Sequence, residues 1–122
     1  MNKLLSLFIV TTVLFGCTKV PITGRKQNTL VSETELETMS ASEYQKFLSS
    51  HKLSTDAKQI ELVKKVGNKI ATNITAFFKT YSNGKYLKNV EGYKWEFNVV
   101  DDPTVNAWCM PGGKVVVYTG LL

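Results

Sequence analysis

The sequence predicts an α+β fold in which N-terminal helices pack on a small sheet that ends in a C-terminal β-hairpin. Two observations carry that prediction: two stretches of helical periodicity come first, and strand signals gather in the last third of the chain. A third observation bounds the size. With 122 residues, 43% of them apolar and 20% charged, the composition suits one modest globular domain rather than a disordered or fibrous chain.

Residues 1–16 read as a signal segment. Lys3 precedes the apolar run Leu4-Leu5-Ser6-Leu7-Phe8-Ile9-Val10, which is too short to span a bilayer, since a spanning helix needs about 20 apolar residues. The following Leu14-Phe15-Gly16-Cys17 resembles the lipobox of bacterial lipoproteins, with Phe15 bulkier than the residue usual there. That resemblance implies cleavage before Cys17, a diacylglycerol thioether on its sulfur, and membrane lipid as a partner. Two or three acyl chains anchor a protein firmly, whereas one is marginal. The alternative is an ordinary secretory signal in which Cys17 is incidental. Residues 17–30, with Pro21, Gly24 and no helical period, read as a tether, and residues 31–122 as the domain it carries.

Within the domain, Ser32 is a candidate N-cap with Glu35 three residues on, and Leu36, Met39, Tyr44, Phe47 and Leu48 follow at roughly helical spacing. A second helix is predicted after Ser54-Thr55-Asp56. Its apolar face is Ile60, Val63, Val66, Gly67, Ile70 and Ile74, with the lysines opposite, and packing against a sheet is the expected use of that face. Residues 81–89 contain Asn83-Gly84 and read as a loop. Trp95, Phe97 and Val99 then alternate with Glu96, Asn98 and Val100, the pattern of a half-buried strand, which Asp101-Asp102-Pro103 ends. Two further β-prone runs flank Pro111-Gly112-Gly113 and predict a hairpin, and Leu121-Leu122 reads as the start of another element.

Charge and chemistry exclude several functions. Fifteen Lys and Arg against ten Asp and Glu give +5, but the basic residues are scattered, so nucleic acid is not an expected partner. With Cys17 given to lipid, Cys109 is left without an intrachain disulfide partner and reads as a small buried thiol. The single histidine, His51, reads as a surface residue. Asp101 and Asp102 read as a turn, and if the strand continues through them they point to opposite faces and are poor partners for acid/base or calcium chemistry.

The ordered blocks Asp101-Asp102-Pro103-Thr104-Val105-Asn106-Ala107-Trp108, Pro111-Gly112-Gly113-Lys114 and Val117-Tyr118-Thr119-Gly120-Leu121-Leu122 resemble the strand-hairpin region that precedes the zinc helix in HtpX-like, Oma-type and CAAX-protease-related metallopeptidases. Pro21-Ile22-Thr23-Gly24-Arg25 and Val66-Gly67-Asn68-Lys69-Ile70-Ala71 resemble earlier segments of the exported members. The resemblance implies an incomplete zincin-like domain. In that family, chemistry belongs to an H-E-x-x-H helix that binds zinc and activates water. Here His51 is followed by Lys52-Leu53 and lies before the hairpin, so no catalytic or metal-binding residue can be assigned, and this chain alone is expected to bind no zinc. The resemblance also places Asn106, Ala107 and Trp108 on or near a strand edge that accepts an extended substrate, although Trp108 serves equally well as packing. The expected function is the N-terminal part of a zinc metalloendopeptidase, lipid-anchored in the bacterial envelope with a lean to the outer membrane. Its substrates would be unfolded or misassembled envelope proteins, and this chain by itself would be inactive. The alternative is a noncatalytic lipoprotein module that binds a peptide or partner.

Overall fold

The computed structural model describes residues 17–122, and the expected signal segment 1–16 lies outside the described residues. The chain divides into two units, the first ending at Ser32 and the second running from Glu33 to Leu122. In the first, β1 (Cys17–Lys19) pairs antiparallel with β2 (Lys26–Asn28). Gly24 takes a left-handed φ of 66° and donates its N–H to the Val20 carbonyl at 3.0 Å, which turns the chain back between the strands. The stretch read as a tether thus contains a small hairpin.

The second unit opens with α1 (Glu33–Ser50), followed by α2 (Ala57–Thr80). Asp56 caps α2, its carboxylate accepting from the N–H groups of Lys58 at 2.8 Å and Gln59 at 3.3 Å, as the Ser-Thr-Asp signal predicts. The buried seam of α1 differs from the expected one. Ser40 and Tyr44 are buried, with Phe47 and Leu48 packed beside them, whereas Leu36 and Met39 are exposed. Positions 40, 44, 47 and 48 form one stripe of a helix; Leu36 continues that row but lies in the helix's first turn, and Met39 falls to its side.

After α2, Tyr81–Gly84 forms a short 3-10 turn and Lys88–Glu91 a one-turn helix, α3. The expected loop is therefore ordered as helical turns. Ser82, Asn83 and Gly84 all have left-handed φ values, of 49°, 56° and 76°, and these reverse the chain between the two helical pieces.

Three strands complete the unit: β3 (Glu96–Val100), β4 (Ala107–Met110) and β5 (Lys114–Tyr118). The predicted hairpin is β4–β5, turned by Pro111-Gly112-Gly113 with both glycines left-handed. The sheet order is β3-β5-β4, so the hairpin's second strand is central and pairs parallel with β3, Glu96 opposite Lys114 and Val100 opposite Tyr118. Alternation then sorts the side chains. Val100 and Val116 meet Tyr44 of α1 in the buried core, while Phe97 on the other face lies so close to α2 that a Cβ on Gly67 would fall 2.4 Å from its ring. One helix covers each face of the sheet, and the architecture is α+β. Among the described residues no helix is long and apolar enough to cross a membrane.

Candidate functional site

The strand predicted to accept substrate is an edge. β4 pairs with β5 on one side, and among the described residues no strand pairs with its other side. Ala107 and Trp108 lie on β4, and Asn106 immediately precedes it, its carbonyl accepting from the Tyr118 N–H at 3.0 Å. Asn106 and Ala107 are exposed. The Trp108 side chain turns inward, where its ring meets Phe47 edge-on at 4.8 Å and Tyr44 at 6.1 Å, and its indole N–H points to the Tyr118 hydroxyl at 3.4 Å. Trp108 therefore serves packing through its side chain, and only its backbone belongs to the edge. An unpaired edge can take up an extended peptide by main-chain hydrogen bonds.

The signature blocks that flank this strand are joined to each other. Thr119 Oγ1 donates to the Asp102 carbonyl at 2.9 Å and accepts from the Asp102 N–H at 3.0 Å, and the Gly120 N–H also donates to that carbonyl at 3.0 Å. Backbone approaches so closely here that a Cβ on Gly120 would sit 2.0 Å from the Pro103 oxygen. The Asp102 carboxylate accepts from the Thr104 N–H at 2.8 Å, and this hydrogen bond, with one from the Thr104 hydroxyl as the larger influence, holds its pKa below the ordinary carboxylate value. Asp101 pairs instead with Lys52 at 2.5 Å; β3 ends at Val100, so neither aspartate lies in the strand, and it is their different partners that set them apart.

Behind the edge runs an apolar groove of about 470 Å³ between α2 and the second face of the sheet. Its lining includes Val66 and Ile70 of α2, Val115 and Val117 of β5, Cys109 of β4, and Leu122. The helix face expected to be covered is only partly covered, Val66 and Ile70 being 50% and 52% exposed. α2 crosses β3 and leaves the β5–β4 side of the sheet open, which is why Cys109 is exposed rather than buried as expected.

On the α1 face the interior is polar at one end. Lys114, a buried residue, donates to the Lys94 carbonyl at 2.7 Å and pairs with Glu96, its register partner on β3. Beside it the Tyr44 hydroxyl donates to the Val115 carbonyl at 2.9 Å and accepts from Asn98 at 3.1 Å, and burial pushes its pKa up. The sequence reading missed this cluster. A lysine beginning a Val-Val-Val strand was the signal available, because a charge placed within an apolar run is either at an edge or buried with a partner.

Zinc does not fit the residues present. Among the described residues, no three His, Cys, Asp or Glu side chains gather into a group able to hold a metal ion. His51 is exposed and occupied elsewhere, its ring stacked 3.8 Å from Phe47 and its Nδ1 2.8 Å from the Phe47 carbonyl. No step of a zinc reaction is assigned to the described side chains.

Comparison with known proteins points to the same strands. Residues 85–122 match the model of Peptidase family M48. The mitochondrial metalloendopeptidase OMA1 of Arabidopsis thaliana is 59% identical over 34 residues, 28% of this chain and 7% of that protein. That of Schizosaccharomyces pombe is 59% identical over 36 residues, covering 30% of this chain and 11% of that protein. A longer alignment joins the chain to the mitochondrial metalloendopeptidase OMA1 of Homo sapiens, 27% identical over 106 residues, or 84% of this chain and 18% of the human protein. The chain thus spans less than a fifth of these relatives' length.

Proposed function

We propose that this chain is the N-terminal part of a zinc metalloendopeptidase of the M48 kind, tethered to the bacterial envelope by lipid on Cys17 and acting on unfolded or misassembled envelope proteins. The observation that carries the reading is the β3-β5-β4 sheet with its signature blocks clamped together, because the family match falls on residues 85–122, which hold all three strands. In this reading the zinc ligands and the water-activating glutamate lie in sequence beyond residue 122, and the protein's own contribution here is the substrate edge at Asn106, Ala107 and Trp108. Main-chain pairing along such an edge grips any extended polypeptide, which suits a protease of unfolded proteins. The apolar groove supports the same reading: an amphipathic helix carrying H-E-x-x-H would bury one face, and Val66, Ile70, Val115 and Val117 offer a surface to receive it.

The test compares two proteins on casein, an unfolded substrate. The product of the intact chromosomal gene should cleave it and lose that activity to a chelator, while the 122-residue chain should not cleave it even with added zinc. Zinc-dependent cleavage by the 122-residue chain would overturn the placement of the metal site, and inactivity of both would overturn the peptidase reading.

A further inference from the structure

We propose that the outer end of α2 and the turn that follows it form a docking surface for an anionic phospholipid bilayer. This contact is separate from the acyl chains expected on Cys17 and does not depend on them. Residues 77–90 contain Lys79, Lys85 and Lys88 and no acid. All three lysines are exposed, and among the described residues none forms an ion pair. Between them lies a continuous group of rings: Phe77 stacks on Tyr81 at 5.2 Å, Tyr81 on Tyr86 at 6.0 Å, and Phe78 meets Phe77 edge-on at 5.3 Å. Phe77 is 47% exposed, and the Lys85 ammonium sits 5.5 Å from the Tyr86 ring centre.

The position of this group in the fold favours a surface contact. Gly67 marks where α2 meets the sheet, and Phe77 lies ten residues further along the helix, roughly 15 Å beyond that crossing. The left-handed Ser82-Asn83-Gly84 turn then brings Lys85 and Tyr86 back beside the helix end. Charge is segregated on the same scale. Residues 57–95 hold eight lysines against Glu61 and Glu91, whereas α1 holds four glutamates against Lys46. Glu33, which accepts a hydrogen bond from Asn89 at 3.0 Å, marks the border between the two fields.

Basic side chains around a partly exposed aromatic group, with Phe77 outermost, match the two layers of a lipid surface. Lysines are drawn to anionic headgroups, each strengthening binding roughly fivefold, and amphipathic rings settle at the headgroup level. A single-stranded nucleic acid would need open ring faces for its bases, and here Tyr81 is stacked on both Phe77 and Tyr86.

The test is hydrogen exchange of the full chain, read peptide by peptide, with phosphatidylcholine vesicles that contain or lack phosphatidylglycerol. Local reading separates this contact from any insertion of the apolar N-terminal segment. Slowed exchange across residues 77–88 is expected on anionic vesicles only. It should be lost in a K79Q/K85Q/K88Q variant, whose affinity falls on the order of a hundredfold; these are exposed positions, and circular dichroism checks that the variant folds. Unchanged exchange on anionic vesicles, equal slowing on both vesicles, slowing retained by the triple variant, or slowing by a short RNA but not by lipid would each overturn the proposal.

Discussion

Lys114 is buried while its partner Glu96 remains 41% exposed at the side chain, and that asymmetry decides what each substitution costs. Glu96→Gln keeps an oxygen that can accept from the Lys114 ammonium but removes the charge that balances it, and chemical denaturation should show a loss of about 1–3 kcal/mol. Lys114→Met removes the charge but keeps the stem, and should cost less than Glu96→Gln, since replacing a buried charge is cheaper than orphaning it. Tyr44 gives a pH-dependent counterpart. Burial raises its pKa above the ordinary 10.0, so its stabilising contribution is complete below pH 10.0 and is lost as pH rises through the raised value. Tyr44→Phe should cost about 1–2 kcal/mol at neutral pH by stranding Asn98, and it should remove this share of the alkaline destabilisation. Equal alkaline sensitivity in the variant would contradict the assignment.

At the scale of elements, the clamp between the Asp102-Pro103 corner and the Thr119-Gly120 turn makes the sharpest prediction. Gly120→Ala places a methyl against the Pro103 backbone, which has no side chain to swing aside, and should cost about 1–3 kcal/mol in a denaturation experiment. These elements were legible in the sequence to different degrees. α2 was readable because a cap at Asp56 and a 3.6-residue apolar period agree, and the hairpin because Gly112-Gly113 can supply left-handed corners. The parallel pairing of β3 with β5 was not, since alternation tells which face a residue occupies but not which strand lies beside it. Nor was the ordered turn at 81–91 readable, because Ser82 and Asn83 adopt left-handed angles that local propensity assigns mainly to glycine. Cys109 reads as a small buried thiol because it follows Trp108 in a strand-like segment, while α2 in fact covers only the β3 side and leaves it exposed. Of the candidate site, Asn106 and Ala107 were placed by resemblance to known strands, and no local pattern of charge or apolarity marks them.

At the scale of the whole molecule, three features meet: the lipid proposed for Cys17, a clamped sheet whose β4 edge is unpaired among the described residues, and an apolar groove proposed to receive a further helix. The first predicts that Cys17→Ser abolishes incorporation of labelled palmitate and releases the protein from the membrane fraction, whereas label retained by the variant would refute lipidation at Cys17. The second and third support the proposal that zinc chemistry is supplied by sequence following the Thr119–Leu121 turn, since the M48 match falls on the strands and the groove offers a helix an apolar surface. That claim is tested most directly by reading the gene's nucleotide sequence past codon 122. The account predicts a segment encoding H-E-x-x-H within a few tens of codons, and a downstream sequence without that motif in any frame would contradict it.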